Sequence, residues 1–127
     1  MFRISEAAAL LGVSADTVRR WVDAGRLPAQ RDEHGHRIIS GRDLAEFARS
    51  QAGRDENGLA TSSARNRFRG IVTEVVKDGV MAKVEIAAGP FRVVSLLSRE
   101  SADELGLEPG VVVVAVVKAT NVLVERA

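Results

Sequence analysis

Two hydrophobic periods divide this chain. Up to about residue 49 the apolar positions recur at three- and four-residue spacing, whereas beyond residue 63 they crowd into short valine-rich runs. In the first half Ser5 is placed to cap a helix reaching Leu11, with Gly12 as its stop. Ser14 is placed to cap a second helix from Ala15 to about Ala24. Val18, Trp21 and Val22 fall at i, i+3 and i+4 and predict the buried stripe of that second helix. Two short helices joined by a tight glycine-containing turn describe a helix-turn-helix. Arg31 to Arg37, polar and with Gly35 inside, predicts a hairpin tip. Ser40 with Asp43 three residues on opens a third helix, whose Leu44 and Phe47 turn inward.

In the second half, strands are predicted over Phe68–Val76, Val80–Ala87, Phe91–Leu97, Val111–Val117 and Asn121–Glu125, separated by turns at Lys77-Asp78-Gly79 and Ala88-Gly89-Pro90. Ser101 with Glu104 predicts a capping box opening one short helix that stops at Gly106. Five strands with one helix between the third and fourth is the order of an OB-like barrel. Val111–Val117 carries no polar residue, which predicts burial on both faces, part of it against another chain. Residues 50–62 are polar, contain glycine and read as a linker. The fold expected is therefore α+β in two domains: a small winged helix-turn-helix over 1–49, and an OB-like five-stranded β-barrel with one short helix over 63–127.

Composition changes this picture little. Eighteen basic residues against 17 acidic ones give a net charge of +1, so the chain is not a generally sticky polycation. Its cations are mostly arginines; the lysines are Lys77, Lys83 and Lys118. Without cysteine there is no disulfide and no thiolate metal site. His34 and His36 form an H-x-H pair with no third ligand nearby, so they read as loop histidines rather than a metal site. No signal-like apolar region opens the chain and no apolar run reaches 18 residues, so a cytoplasmic protein without a membrane partner is expected. No nucleophile–base pair or metal cluster can be assembled, which argues against an enzyme.

In the first half the candidate chemistry is recognition of double-stranded DNA. With Val18, Trp21 and Val22 inward, Thr17, Arg19 and Arg20 project from the opposite side, where a recognition helix carries groove-reading side chains. Arg31 and Arg37 near the hairpin tip are expected to contact phosphates. The run I-S-E-A-A-A-L-L-G-V-S-A-D-T-V-R-R-W-V-D-A-G-R-L-P-A-Q-R, then G-H-R-I-I and D-L-A-E-F, resembles the excisionase and MerR-type winged helix-turn-helix over residues 2 to about 49. That resemblance implies DNA binding through the second helix and the wing, with Thr17, Arg19 and Arg20 at the groove and Arg31, His36 and Arg37 on the wing. MerR-type activators usually continue into a long dimerising helix, whereas this pattern stops near Arg49, so dimerisation must come from elsewhere.

The second half offers oxyanion donors instead. Ser63, Ala64, Arg65 and Asn66 set a hydroxyl, a guanidinium and an amide beside backbone N–H groups. The helix opened by Ser101, and Lys118-Ala119-Thr120, add two further donor groups. S-A-R-N-x-x-x-G-x-V at Ser63–Val72, S-A-D-E-L-G-L-E-P-G at Ser101–Gly110 and V-V-K-A-T at Val116–Thr120 resemble the Mop or TOBE molybdate-binding domain over residues 62–126. The resemblance implies molybdate or tungstate as bound ligand, with molybdenum present only as the oxyanion. It implies Ser63, Arg65, Ser101 and Lys118 as ligands, backbone N–H groups of Ala64 and Ala119 beside them, and a site between subunits or tandem copies. Since one such domain is present, the site requires a homo-oligomer, a dimer or larger closed assembly. Asn66 matches the motif but is assigned a structural role. Phe68 and Phe91 are the only aromatic residues of this half, too few for a single-strand nucleic-acid platform. The expected function is a molybdate- or tungstate-responsive DNA-binding transcriptional regulator. The alternative is a molybdate storage or buffering protein whose head serves for tethering.

Overall fold

The computed structural model of the 127-residue chain describes residues 1–51 and 64–127. The chain folds as two compact units, Met1–Leu59 and Ala60–Ala127. The expected linker at 50–62 falls almost wholly outside the described residues, and so does Ser63.

The first unit strings β1 (Phe2–Arg3), α1 (Ile4–Leu11), α2 (Ala15–Asp23), β2 (Gln30–Arg31), β3 (Arg37–Ile39) and α3 (Gly41–Gln51). Ser14 caps α2 by accepting the Thr17 N–H at 3.1 Å, and Ser40 accepts the Asp43 N–H at 3.1 Å. Ser5 does not cap α1. Arg3 is the N-cap residue, its N–H donating to Glu6 Oε1 at 3.0 Å, so Ser5 lies inside the first turn. The reason is β1: pairing of Phe2 with Ile39 and Arg3 with Ile38 fixes the extended backbone up to Arg3, and the helix starts directly after it. Gly12 ends α1 in the left-handed region at φ 70°. Ala7, Val18, Leu27, Ile39, Leu44 and Phe47 make the core, and Trp21 packs on Phe47 in a tilted arrangement with ring centroids 4.8 Å apart. β3 pairs with β1 on one side and β2 on the other, and the β2–β3 hairpin is the wing.

The second unit is one antiparallel sheet of order β6-β5-β4-β7, formed by β4 (Asn66–Lys77), β5 (Met81–Ala88), β6 (Phe91–Ser98) and β7 (Val112–Val117), with α4 (Arg99–Glu104) between β6 and β7. β4 curls through a bulge between Val72 and Glu74, and its first half pairs with β7 while its second pairs with β5. Val72, Val84 and Ile86 form the core, joined by Val93, Leu97, Leu107, Val113 and Ala115. Gly70 is required for space: a Cβ there would collide with the Ala87 carbonyl oxygen and lie 2.8 Å from Ile86 Cγ2.

Three expectations change. The fifth strand is absent among the described residues: Ala119–Asn121 is a 3₁₀ turn, and residues 122–127 carry no strand, with Leu123 92% and Val124 90% exposed. A strand needs an edge to pair with, and the 3₁₀ turn at Ala119–Asn121 ends the extended run of β7, after which no described residue pairs with the sheet. β7 is not buried on both faces either; Val113 and Ala115 join the core while Val112, Val114 and Val116 are exposed. Finally, Ser98 rather than Ser101 caps α4, accepting the Ser101 N–H at 3.0 Å. The ladder of β6 ends with Ser98 opposite Met81, so the helix begins a turn earlier than the S-x-x-E spacing suggests.

Candidate functional site

The donor motifs of the second unit come together pairwise. Asn66 opens β4 and pairs with Val117, the last residue of β7, and Asn66 Nδ2 donates to the Val117 carbonyl oxygen at 3.1 Å. This cross-strand clamp sets Ala64-Arg65 beside Lys118-Ala119 at one end of the sheet. Ala64 is buried, while Arg65 and Lys118 are exposed. Lys118 is the N-cap residue of the 3₁₀ turn and makes no ion pair among the described residues. A 3₁₀ turn leaves its first N–H groups without partners inside the turn, so the Ala119 and Thr120 amides are available donors. Two cations and a set of N–H groups, with no carboxylate in the stretch 64–66 or 118–120, can accept an anion that carries no proton.

Ser101 sits elsewhere. α4 is tied to the opposite end of β4, where Lys77 Nζ meets Asp103 Oδ1 at 2.5 Å. β4 is 12 residues long, so at ~3.3 Å per residue roughly 36 Å of strand separate that end from Asn66. β7 repeats the geometry: it starts just after the α4 loop, at Val112, and Lys118 follows its far end. Ser101 Oγ accepts a hydrogen bond from Ser98 Oγ at 2.8 Å, so its lone pairs are partly engaged. Asp103 is held below the usual carboxylate range, first by the hydrogen bond from Lys77 and then by Arg99. Asp78, beside the same end, is lowered by the N–H groups of Met81 and Val80.

An open apolar groove of about 490 Å³ runs between β6 and β7, the two edge strands of the sheet, over Ile86, Val93, Leu97, Leu107 and Val113. It offers no charge and is not an oxyanion site.

In the first unit Thr17, Arg19 and Arg20 are on the solvent side of α2, as its apolar stripe requires. Arg19 is held by Asp16 at 2.5 Å, and Arg20 Nη2 reaches Thr17 Oγ1 at 3.3 Å. On the wing, Arg31 Nη1 donates to the Gly35 carbonyl at 2.6 Å, which closes the turn. Asp32 Oδ1 accepts the N–H groups of His34 and His36 at 2.9 Å each, and the His36 bond is the main cause of its lowered pKa. Arg37 is ion-paired within the unit: its Nη1 lies 2.7 Å from Asp23 Oδ1, which joins the wing to the end of α2. Arg3 is the residue that sequence reasoning missed. A two-residue strand has no pattern of its own, yet β1 brings Arg3 to the same cleft as Arg19 and the wing. Among the described residues no group of His, Cys, Asp and Glu could hold a metal ion, and no helix is long and apolar enough to cross a membrane.

Comparison with known proteins divides at the same place. A family model described as a TOBE domain matches residues 62–124, and one described as a helix-turn-helix domain matches residues 1–52. Molybdenum-pterin-binding protein 2 of Clostridium pasteurianum is 42% identical over 63 residues, which are 49% of this chain and 93% of that protein. The structure of a molybdate-binding protein from Sporomusa ovata is similar with a TM-score of 0.50 at 37% identity, covering 51% of this chain and 97% of that one. A type II methyltransferase of Escherichia coli is 45% identical over 51 residues, 39% of this chain; the chain spans only 12% of that enzyme's length.

Proposed function

From the premise that this chain belongs to the TOBE family, beside its molybdenum-pterin-binding relatives, and carries a helix-turn-helix domain ahead of that unit, we propose that it is a molybdate- or tungstate-responsive DNA-binding regulator. The observation that carries the anion half is the clamp between Asn66 and Val117, which puts Arg65 beside Lys118. A tetrahedral dianion needs about two positive charges and donors for every oxygen. Arg65, Lys118 and the amides of Ala64 and Ala119 supply them, with the Ser63 hydroxyl next in the chain. Hydrogenphosphate brings a hydroxyl whose proton needs an acceptor, and the pocket offers it no carboxylate or carbonyl, only serine hydroxyls that also serve as donors. Sulfate is discriminated by size, and tungstate, nearly isosteric, competes with molybdate.

Ser101 completes this site from a second chain, because within one chain it stands at the opposite end of the sheet. The apolar surface supports such an assembly: Val112, Val114 and Val116 on β7, Ile71 on β4 and the 122–124 segment are exposed in the single chain. The head reads duplex DNA with Thr17, Arg19 and Arg20 in the groove and Arg31 and His36 on the wing. Anion binding across the subunit interface then sets how the paired heads meet DNA. The relatives matched along nearly their whole length by residues of one TOBE unit support a second reading, storage with the head as a tether. Footprinting of the full chain with and without molybdate separates the two, since storage predicts the same DNA occupancy in both. The anion site itself is tested by thermal melting. At a hundredfold excess over its Kd, molybdate or tungstate should stabilise the fold by about 2.7 kcal/mol, while sulfate and phosphate leave the midpoint unchanged. A midpoint indifferent to all four anions refutes the reading.

A further inference from the structure

We propose that Arg3, supplied by the N-terminal strand, is a DNA backbone-phosphate contact, and that it takes the place on the cleft wall that Arg37 gives up by pairing with Asp23. The inference rests on the reading of the head as a duplex-DNA binder. Between the recognition helix and the wing lies a concave cleft of about 490 Å³, to which Arg3, Arg19, Asp23, Arg31, His36 and Arg37 contribute. Its one carboxylate is already matched, since Asp23 holds Arg37. Arg19 is engaged with Asp16, and Arg31 gives one N–H to the Gly35 carbonyl. Arg3 alone among these guanidiniums makes no hydrogen bond or ion pair with the described residues; its backbone N–H, not its side chain, serves the α1 cap. It is nevertheless close to the wing, because its charge helps to lower the pKa of Asp32.

The backbone holds Arg3 in place. The pairing of Arg3 with Ile38 ties it to β3, the strand that carries the wing, and α1 starts at the next residue. An unpaired guanidinium on a fixed strand, at the mouth of a basic cleft that the recognition helix and wing both border, is ready to receive a phosphate bidentately as a duplex strand passes between them. Arg37, by contrast, acts through the wing and is a positioning residue.

The test is fluorescence anisotropy of the full chain on a labelled mixed-sequence duplex of about 24 base pairs, across a salt series, for wild type, Arg3→Gln, Arg3→Lys and Arg37→Gln. Losing one phosphate contact lowers the slope of log K against log salt by about 0.9, which is up to about eightfold in affinity at 0.1 M salt. Arg3→Gln should show that loss, and Arg3→Lys should keep the wild-type slope because the charge remains. Arg37→Gln should weaken binding at every salt concentration and leave the slope unchanged. An Arg3→Gln chain with wild-type slope and affinity overturns the proposal while the head remains a DNA binder. An Arg3→Gln loss that Arg3→Lys shares in full overturns it as well, because the effect is then structural. Wild-type chain that binds no duplex even at low salt overturns the underlying reading together with this one.

Discussion

Two defective chains should rescue each other at the anion site. Arg65 and Lys118 stand at one end of the sheet and Ser101 at the other, so a site that uses both must draw them from different chains. Lys118→Ala leaves the dianion with about half its compensating charge, an expected loss of about 2–5 kcal/mol. Ser101→Ala removes one hydroxyl donor, an expected loss of about 1–3 kcal/mol. Each homogeneous variant therefore has no site of wild-type affinity. In a statistical mixture, about a quarter of the sites pair an intact Lys118 end with an intact Ser101 end, about a quarter carry both defects, and the rest carry one. The assay is titration calorimetry with molybdate on full chains co-expressed with two different tags and purified on both. The isotherm should show a tight phase absent from either variant alone. Because purification on both tags removes homogeneous assemblies, the tight fraction should reach at least a quarter, and in a strict dimer about half of the sites. A mixture whose isotherm is the average of the two parents, with no tight phase, refutes the shared site and means that each chain binds with its own residues or not at all.

Further outcomes follow from individual contacts. Gly70→Ala should lower the stability of the second unit by about 1–3 kcal/mol through overpacking against Ala87 and Ile86, read as a lower melting midpoint with the head unaffected. Phe47→Ala should cost the head about 3–5 kcal/mol and change the fluorescence of Trp21, the single tryptophan, which packs on that ring. Glu85 is held below the usual carboxylate range, first by the hydrogen bond from Arg92 and then by its charge and that of Lys83; Asp103 is lowered by Lys77. A depressed carboxyl stabilises the fold above its unfolded pKa and loses that contribution as pH falls through the folded value. The second unit should therefore weaken progressively below about pH 4, and Glu85→Gln should flatten that acid limb. Deleting residues 122–127 should shift the full chain toward monomer in light scattering, since it removes exposed Val122, Leu123 and Val124; unchanged mass would assign assembly to another surface.

What could be read from the sequence was local or periodic. Ser14 and Ser40 are identifiable as caps because polar residues and an apolar stripe follow them at fixed spacing, and the structural role expected of Asn66 agrees with its bond to the Val117 carbonyl. Ser5 and Ser101 failed for one shared reason. In both cases the start of the helix is set by a neighbouring strand, β1 or β6, whose register depends on residues far along the chain. The missing fifth strand is the same lesson at a larger scale: Asn121–Glu125 is a short apolar run between polar residues, but such a run does not by itself supply an edge to pair with. Arg3 was invisible because its significance comes wholly from its pairing with Ile38. Nothing in the spacing reveals that Asp23 lies 2.7 Å from Arg37.

The bare valines of β7 have a consequence for how the proposed regulator would behave in a cell. Val112, Val114 and Val116 lie on an edge strand without a single charged residue, which makes a solitary chain liable to stick to whatever strand it meets. On the proposed assembly, the sensing pocket exists only where two chains have met. A protein working as proposed would then measure its own abundance together with that of the anion: below the copy number at which chains find each other, added oxyanion would not be registered. Its response threshold would be set by its rate of synthesis as well as by the chemistry of the pocket, and a gene that tuned its own expression would be tuning the sensitivity of the sensor.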